Sequence, residues 1–217
     1  MTSSVLDHIV IAAKTHDQGV SYIRDKLGVD IPRGGQHKFM GTHNSVMALG
    51  KHVYLEVISI DRSLNPPNHP RWFGLDDPHV RDALEESPRL LTWAVNTADL
   101  DSLVGSSAVP LGEIISASRD ELRWRVAFRK DGSMPGAGFV PLCMQWKVDF
   151  HPASRMEDLG WKILSLQLYH HRPDWLEDVL ETIGAREEVT VHGIEDGQTS
   201  CLEAVLSGQN GRIVRLR

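Results

Sequence analysis

Residues 34–60, GGQHKFMGTHNSVMALGKHVYLEVISI, decide the fold of this chain. The stretch ends in an apolar run, VYLEVISI, which predicts a buried strand with one carboxylate, Glu56, inside it. Near the start of the chain, LDHIVIAA predicts a second buried strand that carries His8. A lone acid in an apolar strand is costly to bury unless it is paired or binds a metal ion. The strand histidine and the strand glutamate are therefore the first candidates for a site on a sheet.

The first unit of the chain, residues 5–60, predicts the order strand, helix, three strands. Thr15 and Gln18 form a predicted capping box at the start of the helix, and Gly28 suits its left-handed C-terminal position. The glycine pair 34–35 predicts a break in the chain after the helix. The predicted elements are a strand over 5–13, a helix over 16–27 and strands near 36–41, 44–49 and 53–60.

Two further stretches, residues 90–148 and 163–217, repeat this order of strand and helix patterns. The proline-rich stretch 61–89 predicts a long surface loop with one short helix near 78–86. Long loops in compact proteins often cover a site. We expect the Trp-Phe pair at 72–73 to anchor this loop to the body of the protein.

The predicted fold class is α+β, with repeated β-α-β-β-β modules that form a curved mixed sheet, a half-barrel, around a cavity. One module alone leaves an uncovered sheet face and open edges, so two modules side by side can share a sheet. We expect a first domain over 1–150, made of modules 5–60 and 90–148, and a third module over 151–217. The odd third module needs a partner, and a second copy of the chain is the simplest one, which predicts a homodimer.

The composition is ordinary for a globular protein, with 41% hydrophobic residues in a chain of 217. The net charge of −6 argues against nucleic acid and against an anionic membrane surface as partners. No apolar run approaches the roughly 20 residues of a membrane span, and the first residues lack the pattern of a secretion signal. Two cysteines are too few for a disulfide framework. The expected location is the cytoplasm.

The segments LDHIVIA, GGQH, MGTHNSVMAL and YLEVI together resemble the glyoxalase-like domain branch of the vicinal oxygen chelate superfamily, over about residues 5–150. That superfamily includes glyoxalase I, extradiol dioxygenases and the bleomycin-resistance proteins. The resemblance implies a divalent metal ion held by side chains from the first and fourth strands of two paired modules. In the first module these positions are His8 and Glu56.

In the second module the sequence departs from the pattern that the resemblance implies. The position that corresponds to His8 falls on Thr92, or on Trp93 with a slip of one residue, and neither is a useful ligand for a divalent metal. The position that corresponds to Glu56 falls near Gln145, whose amide oxygen is a weak ligand. The resemblance thus carries over two good metal ligands and one weak one.

His37, in the GGQH segment, is the candidate for proton transfer, because imidazole titrates near neutral pH. The alternatives are an exposed histidine at position 37, a core histidine with both nitrogens hydrogen-bonded at His8, and an ion pair with an arginine at Glu56. Three arginines of the alternating stretch 121–130 share one strand face. That face is either solvated or, if it points into the half-barrel, binds a carboxylate or phosphate.

Two functions are compatible with these residues. The first is a metal-dependent lyase, isomerase or dioxygenase acting on a small oxygenated substrate, in which the ion at His8 and Glu56 acts as a Lewis acid and His37 moves the proton. The alternative is a metal-free protein of the bleomycin-resistance type, which binds or sequesters a small molecule in the same cavity.

Overall fold

The computed structural model describes residues 3–217, which form twelve β-strands and four α-helices. None of these helices is long and apolar enough to cross a membrane. In chain order the elements are β1 (Ser4–Ala12), α1 (His16–Leu27), β2 (Arg33–His37), β3 (Thr42–Ala48), β4 (Tyr54–Ile60), α2 (Pro78–Glu86), β5 (Arg89–Thr97), α3 (Leu100–Ser106), β6 (Glu113–Arg119), β7 (Leu122–Phe128), β8 (Leu142–Trp146), β9 (Lys162–His170), α4 (Pro173–Thr182), β10 (Thr190–Gly193), β11 (Cys201–Ser207) and β12 (Ile213–Leu216).

Eight of the strands form one mixed sheet in the order β2-β3-β4-β1-β5-β8-β7-β6. In each of the first two units the first strand pairs in parallel with the fourth, β1 with β4 and β5 with β8. The antiparallel pairing of β1 with β5 joins the two units. The sheet curls until its edge strands β2 and β6 approach each other. The predicted α+β class and half-barrel are therefore confirmed.

Helix α1 begins and ends where the chain satisfies the hydrogen-bonding groups that a helix end leaves free. The Thr15 side chain accepts a hydrogen bond from the backbone N–H of Gln18, and Gly28 ends the helix with a φ of +75°. The predicted bounds of this helix, 16–27, match the structure. The short helix predicted over 78–86 is α2.

The glycine pair 34–35 lies inside β2 and does not break the chain, so that prediction is wrong. The pairing of β2 with β3 is irregular at this point, as is common where glycine interrupts a strand. A Cβ atom at Gly34 would overlap the side chain of Asn44, and one at Gly35 would lie 2.9 Å from Cδ of Arg119. The two glycines therefore admit two polar side chains to the interior of the half-barrel.

The third unit has the predicted order of elements but a different strand pairing. Its four strands form a separate sheet in the order β10-β9-β11-β12. Its first strand, β9, pairs in parallel with β10 and antiparallel with β11, whereas β1 and β5 pair with the fourth strand of their units. The prediction of a third β-α-β-β-β unit concerned the order of its elements, which the structure has, and did not extend to strand pairing. Hydrophobic periodicity predicts the order of strands and helices, not which edges meet.

The third unit packs against the eight-stranded sheet of its own chain. One hydrophobic core contains Leu168 of β9 and Ala204 of β11 together with Trp93 of β5. The backbone N–H of Ile163 also donates to the carbonyl of Leu49 at 3.1 Å. The sheet face that suggested a second copy of the protein is thus covered within one chain. The homodimer stays a prediction, but the uncovered sheet face no longer supports it.

Candidate functional site

A cavity of about 50 Å³ lies inside the half-barrel. Its walls come from the first unit on one side and from β6, β7 and β8 on the other. The loop over 61–89 contributes Trp72 and Phe73, and the segment before β9 contributes Pro152 and Met156. This volume holds one or two water molecules, or the end of a larger molecule.

The consecutive residues Asp7 and His8 meet each other at this cavity because β1 is irregular between Leu6 and His8. A regular strand places neighbouring side chains on opposite faces, and an extra residue lets two of them share one face. Asp7 Oδ1 lies 2.6 Å from His8 Nδ1, while Asp7 Oδ2 accepts hydrogen bonds from Trp146 Nε1 at 2.7 Å and His151 Nε2 at 2.9 Å. The carboxylate therefore orients the His8 ring and leaves its Nε2 free.

Asp7 is fully buried. Burial by itself raises the pKa of this carboxyl group, but the hydrogen bonds from His151 and His8, together with the charges of those rings, outweigh it. The result is a pKa lowered from 3.8 to about 2. Asp7 is therefore ionised at neutral pH and acts as a fixed negative charge beside His8.

His8 and Glu56 lie on the paired strands β1 and β4, where Glu56 is opposite Val10 and His8 is opposite Tyr54. The His8 ring stacks on the Tyr54 ring with 4.5 Å between centroids. His8 Nε2 and Glu56 Oε2 are 3.7 Å apart, and both residues are buried. This separation is too long for a hydrogen bond, yet one bound atom can contact both groups. The structure thus brings these two predicted residues to a common point.

Asn44 connects Glu56 to the second unit of the sheet. Its Nδ2 donates to Glu56 Oε1 at 2.6 Å. Its Oδ1 accepts from the backbone N–H of Gly35 at 2.9 Å and from Nη1 of Arg119 at 3.2 Å. The amide orientation follows from this network, because a carboxylate accepts and a guanidinium donates. One oxygen of Glu56 is therefore fixed by Asn44, and the other faces His8.

His37 lies in the cavity wall, but both of its ring nitrogens have partners. Nδ1 is 3.1 Å from Thr42 Oγ1, and Arg119 Nη1 donates to Nε2 at 3.2 Å. Burial and then the charge of Arg119 lower the pKa of His37 from 6.5 to about 3. His37 is neutral at neutral pH and its lone pair is occupied, which argues against the predicted role in proton transfer. The geometry suits it to positioning Arg119 instead.

The indole N–H of Trp72 is a buried donor without an acceptor. Trp72 packs edge-on against His37, with 4.9 Å between ring centroids, and is 5% exposed. In the described part of the chain its Nε1 has no hydrogen-bond partner. Leaving a buried donor unpaired costs roughly 1–3 kcal/mol and is rare. The Trp72 ring lines the cavity, so a small movement of the ring would bring this covered N–H to an acceptor atom of a ligand.

Apart from Arg119, the cavity wall formed by the second unit is mainly apolar and includes Trp124 and Met144. Gln145 is absent from that wall, because alternation along β8 turns it to the opposite face. Its amide donates to the carbonyl of Ala98 and accepts from Arg125 Nη1 at 3.3 Å. The prediction of Gln145 as a metal ligand is therefore corrected: Met144 is the neighbour that faces the cavity.

The arginine that reaches the cavity, Arg119, was not identified from the sequence. Arg125, in the arginine face that was considered, pairs with Asp101 of α3 at 2.6 Å, away from the cavity. Arg119 is the last residue of β6, and following the alternation of this strand to its end would have found that side chain. Asp7 was also missed, and no sequence pattern marks the irregularity that brings it beside the histidine.

A serine–histidine–aspartate chain lies on the first unit, outside this cavity. His43 Nε2 is 2.8 Å from Ser59 Oγ, and its Nδ1 is 3.3 Å from Asp61 Oδ2. The order of groups matches that of a hydrolase triad. Ser59 is fully buried, however, so its hydroxyl is closed to a substrate. Only the Ser59–His43 link is a hydrogen bond, since His43 Nδ1 has no hydrogen-bond partner among the described residues, so the arrangement is a packed polar contact and not a triad.

The metal ion implied by the resemblance has two candidate ligands at the cavity, His8 Nε2 and the Glu56 carboxylate. Asp7, behind His8, is the kind of partner that metal-binding histidines have. Within residues 3–217, however, no three histidine, cysteine, aspartate or glutamate side chains are arranged to hold a metal ion. Zinc and iron centres in enzymes use at least three such ligands. The residues present do not fit a resident ion held by side chains alone.

The model of the family described as "Glyoxalase-like domain" matches residues 6–184 of the chain. No curated protein sequence matches it. A solved structure of a hypothetical protein from Staphylococcus aureus aligns with a TM-score of 0.60 and 13% identity, covering 98% of this chain and 85% of that one. This likeness shows a shared fold.

Two enzymes of known structure align less well. Methylmalonyl-CoA epimerase from Mycobacterium tuberculosis gives a TM-score of 0.41 and 19% identity over 65% of this chain and 86% of that one. A variant of 4-hydroxymandelate synthase from Streptomyces coelicolor gives 0.44 and 13% over 97% of this chain and 61% of that one.

Proposed function

The chain belongs to the glyoxalase-like domain family, and from this premise we propose that it is an enzyme that moves a proton at a carbon beside a carbonyl group of a small oxygenated substrate. One observation carries the proposal. A buried carboxylate, Glu56, has one oxygen held by Asn44 and the other free beside His8 Nε2. Such a buried carboxylate in the wall of a small cavity is suited to act as a general base.

In the proposed reaction, Glu56 Oε2 takes the proton from the carbon. The electron pair of the broken C–H bond moves to the carbonyl oxygen, which becomes an oxyanion. Hydrogen-bond donors placed where this charge develops stabilise the transition state. The unpaired N–H of Trp72 and the Nε and Nη2 donors of Arg119 are the groups suited to this task. Return of the proton to the carbon, or loss of a neighbouring group, completes an isomerase or lyase reaction.

Isomerase or lyase chemistry has more support than the dioxygenase chemistry that was also predicted. Non-haem iron oxygenases bind their metal with two histidines and a carboxylate on one face. Among the described residues that line this cavity, His8 and Glu56 are the available histidine and carboxylate ligands, because both nitrogens of His37 are engaged. Proton removal needs the carboxylate and the donors alone.

Isotope exchange tests the proposal without knowledge of the natural substrate. The protein is incubated in D₂O with a panel of small oxo acids, and proton NMR follows loss of the signal beside the carbonyl. We expect exchange in the wild type and its loss in Glu56→Gln. Glu113→Gln, at an exposed carboxylate paired with Lys130, is the control and keeps the activity. Exchange at wild-type rate in Glu56→Gln would rule out the assignment.

The metal-dependent form of this function remains a prediction, favoured by the 3.7 Å separation of His8 Nε2 and Glu56 Oε2. Water or substrate would have to supply every further ligand. Metal analysis of protein purified without chelator tests it: the metal-dependent form requires stoichiometric metal in the wild type and none in His8→Ala. Wild-type protein that holds no metal would rule out the metal-dependent form of the function.

The alternative function, a metal-free binding protein, is favoured by the apolar wall around Trp124 and Met144. A ligand that binds only the folded state raises the melting temperature by mass action. A shift with apolar small molecules, together with no isotope exchange for any oxo acid, would favour this alternative.

A further inference from the structure

We propose that the groove between the edge strands β2 and β6 binds the anionic part of the substrate, a phosphate or carboxylate group, while the reacting end enters the cavity. The inference rests on the proposed function, since it names the class of substrate for that same site. Three observations support it: the positive charge of the groove, the volumes of groove and cavity, and the position of Arg119, which lines both.

The groove is positively charged on a chain of negative net charge. It has a volume of about 860 Å³. It is lined by residues 33, 35, 36, 38 and 39 of the first unit and by residues 116–120 of the second. Its charged residues are Arg33, Lys38 and Arg119 against the single acid Asp120, whereas the whole chain carries −6. A local excess of positive charge along a concave surface attracts anions.

Two of the three groove cations, Arg33 and Lys38, are not used to hold the protein together. Arg33 and Lys38 are exposed, and among the described residues neither they nor Arg119 forms an ion pair. The exposed hydroxyl groups of Ser116 and Ser118 line the same groove. Guanidinium, ammonium and hydroxyl groups are the donors that phosphate and carboxylate oxygens accept from.

Arg119 joins the groove to the cavity, because its side chain lines both. Its Nη1 donates inward to His37 and Asn44. A guanidinium has five N–H donors in a fixed fork, so those on Nε and Nη2 remain for a ligand. The absence of a side chain at Gly35 lets Arg119 cross the strand edge, since a Cβ there would crowd its Cδ.

The volumes of the cavity and the groove limit the size of the two ends of a substrate that fits both. The cavity of about 50 Å³ admits only a few heavy atoms, and the groove of about 860 Å³ admits a much larger group. A molecule that fills both has a short oxygenated end and a longer part that ends in, or contains, a multivalent oxyanion. A neutral or cationic molecule would leave the three cations of the groove unpaired.

Binding of inorganic pyrophosphate and of tricarballylate, measured by calorimetry on the full chain, tests this inference. The double variant Arg33→Gln/Lys38→Gln removes two exposed cations of the groove. The control Lys51→Gln/Lys162→Gln removes two exposed lysines elsewhere and changes the net charge equally. We expect the groove variant to bind at least about tenfold more weakly than the wild type, and the control to match the wild type.

Tighter binding of pyrophosphate would assign the groove to phosphate groups, and tighter binding of tricarballylate to carboxylates; both support the inference. Failure of both probes to bind at millimolar concentration, or equal affinity in the two double variants, would overturn it. Glu56→Gln is included because it separates the two proposals: it should bind both probes as the wild type does. Absence of isotope exchange in the wild type, or its persistence in Glu56→Gln, with intact anion binding would count against the reaction and not against the groove.

Discussion

Asp7 shows how single residues define this site. Its carboxylate is fully buried but accepts three hydrogen bonds, from His8, Trp146 and His151. A buried charge is tolerated only when it is paired and hydrogen-bonded. The same contacts that make the charge tolerable also fix the ring that faces Glu56. The stability of the fold and the geometry of the site are therefore coupled at this residue.

The lowered pKa of Asp7 predicts that the folded protein loses stability in acid. Its pKa is about 2 in the folded protein and near 3.8 when unfolded, so the ionised form stabilises the fold above pH 4. That contribution, about 2 kcal/mol, is lost as the pH falls from about 4 to 2. Denaturant unfolding at a series of pH values measures this contribution. The free energy of unfolding of Asp7→Asn should lack this part of the dependence on pH. Asp196→Asn, at an exposed acid, should keep it; a slope in Asp7→Asn equal to that of the wild type would contradict the assignment.

The sequence predicts part of this residue-scale picture, for a physical reason. His8 and Glu56 lie in apolar strands whose parallel pairing, β1 with β4, is regular from His8 onward, so alternation and pairing bring them together as expected. Asp7 depends on a strand irregularity, and Arg119 on the approach of two sheet edges that are far apart in the chain. Neither depends on a local pattern. Gln145 was misplaced because a count along β8 that is wrong by one residue selects the opposite face.

At the scale of elements, the strand pair β2 and β3 holds the polar network of the cavity. Gly34 and Gly35 leave space that Asn44 and Arg119 fill. Helix bounds were predictable because capping residues such as Thr15 are local signals. The function of the glycine pair was not, because a glycine that ends a strand and one that admits a side chain look the same in the sequence.

Gly34→Ala should disrupt this strand pair. The added Cβ overlaps Asn44 Oδ1, so the amide must move away from Gly35, Arg119 and Glu56. We expect a loss of about 1–3 kcal/mol in the free energy of unfolding, together with weaker isotope exchange. The control is Gly50→Ala, where an added Cβ meets no atom within 4 Å. Equal stability of the two variants would show that Asn44 does not depend on the missing side chain.

At the scale of the whole molecule, the third unit is part of one structure with the half-barrel. Its strand β9 contributes Leu168 to a core that contains residues of β1 and β5. The Ser4 hydroxyl donates to the carbonyl of Ile183 at 2.7 Å, and the side chain of Glu188 accepts from the backbone N–H of Leu6 at 2.8 Å. These contacts tie the third unit directly to the strand that carries Asp7 and His8.

Unfolding should therefore occur in a single transition. Leu168→Ala, at a fully buried position of β9, should destabilise the entire chain by about 2–5 kcal/mol. Leu164→Ala, in the same strand but 59% exposed, is the matched control and should change little. Circular dichroism and tryptophan fluorescence should give one midpoint for each protein. Two separate transitions, with only one shifted by Leu168→Ala, would mean that the third unit folds independently.

Proton transfer at Glu56 is tested most directly by deuterium exchange into a small oxo acid by chelator-treated protein. We predict that exchange continues after chelation, because the carboxylate and the N–H donors of Trp72 and Arg119 are sufficient, and that it stops in Glu56→Gln. Exchange that stops on chelation and returns with a divalent ion, or that continues in Glu56→Gln, would contradict this.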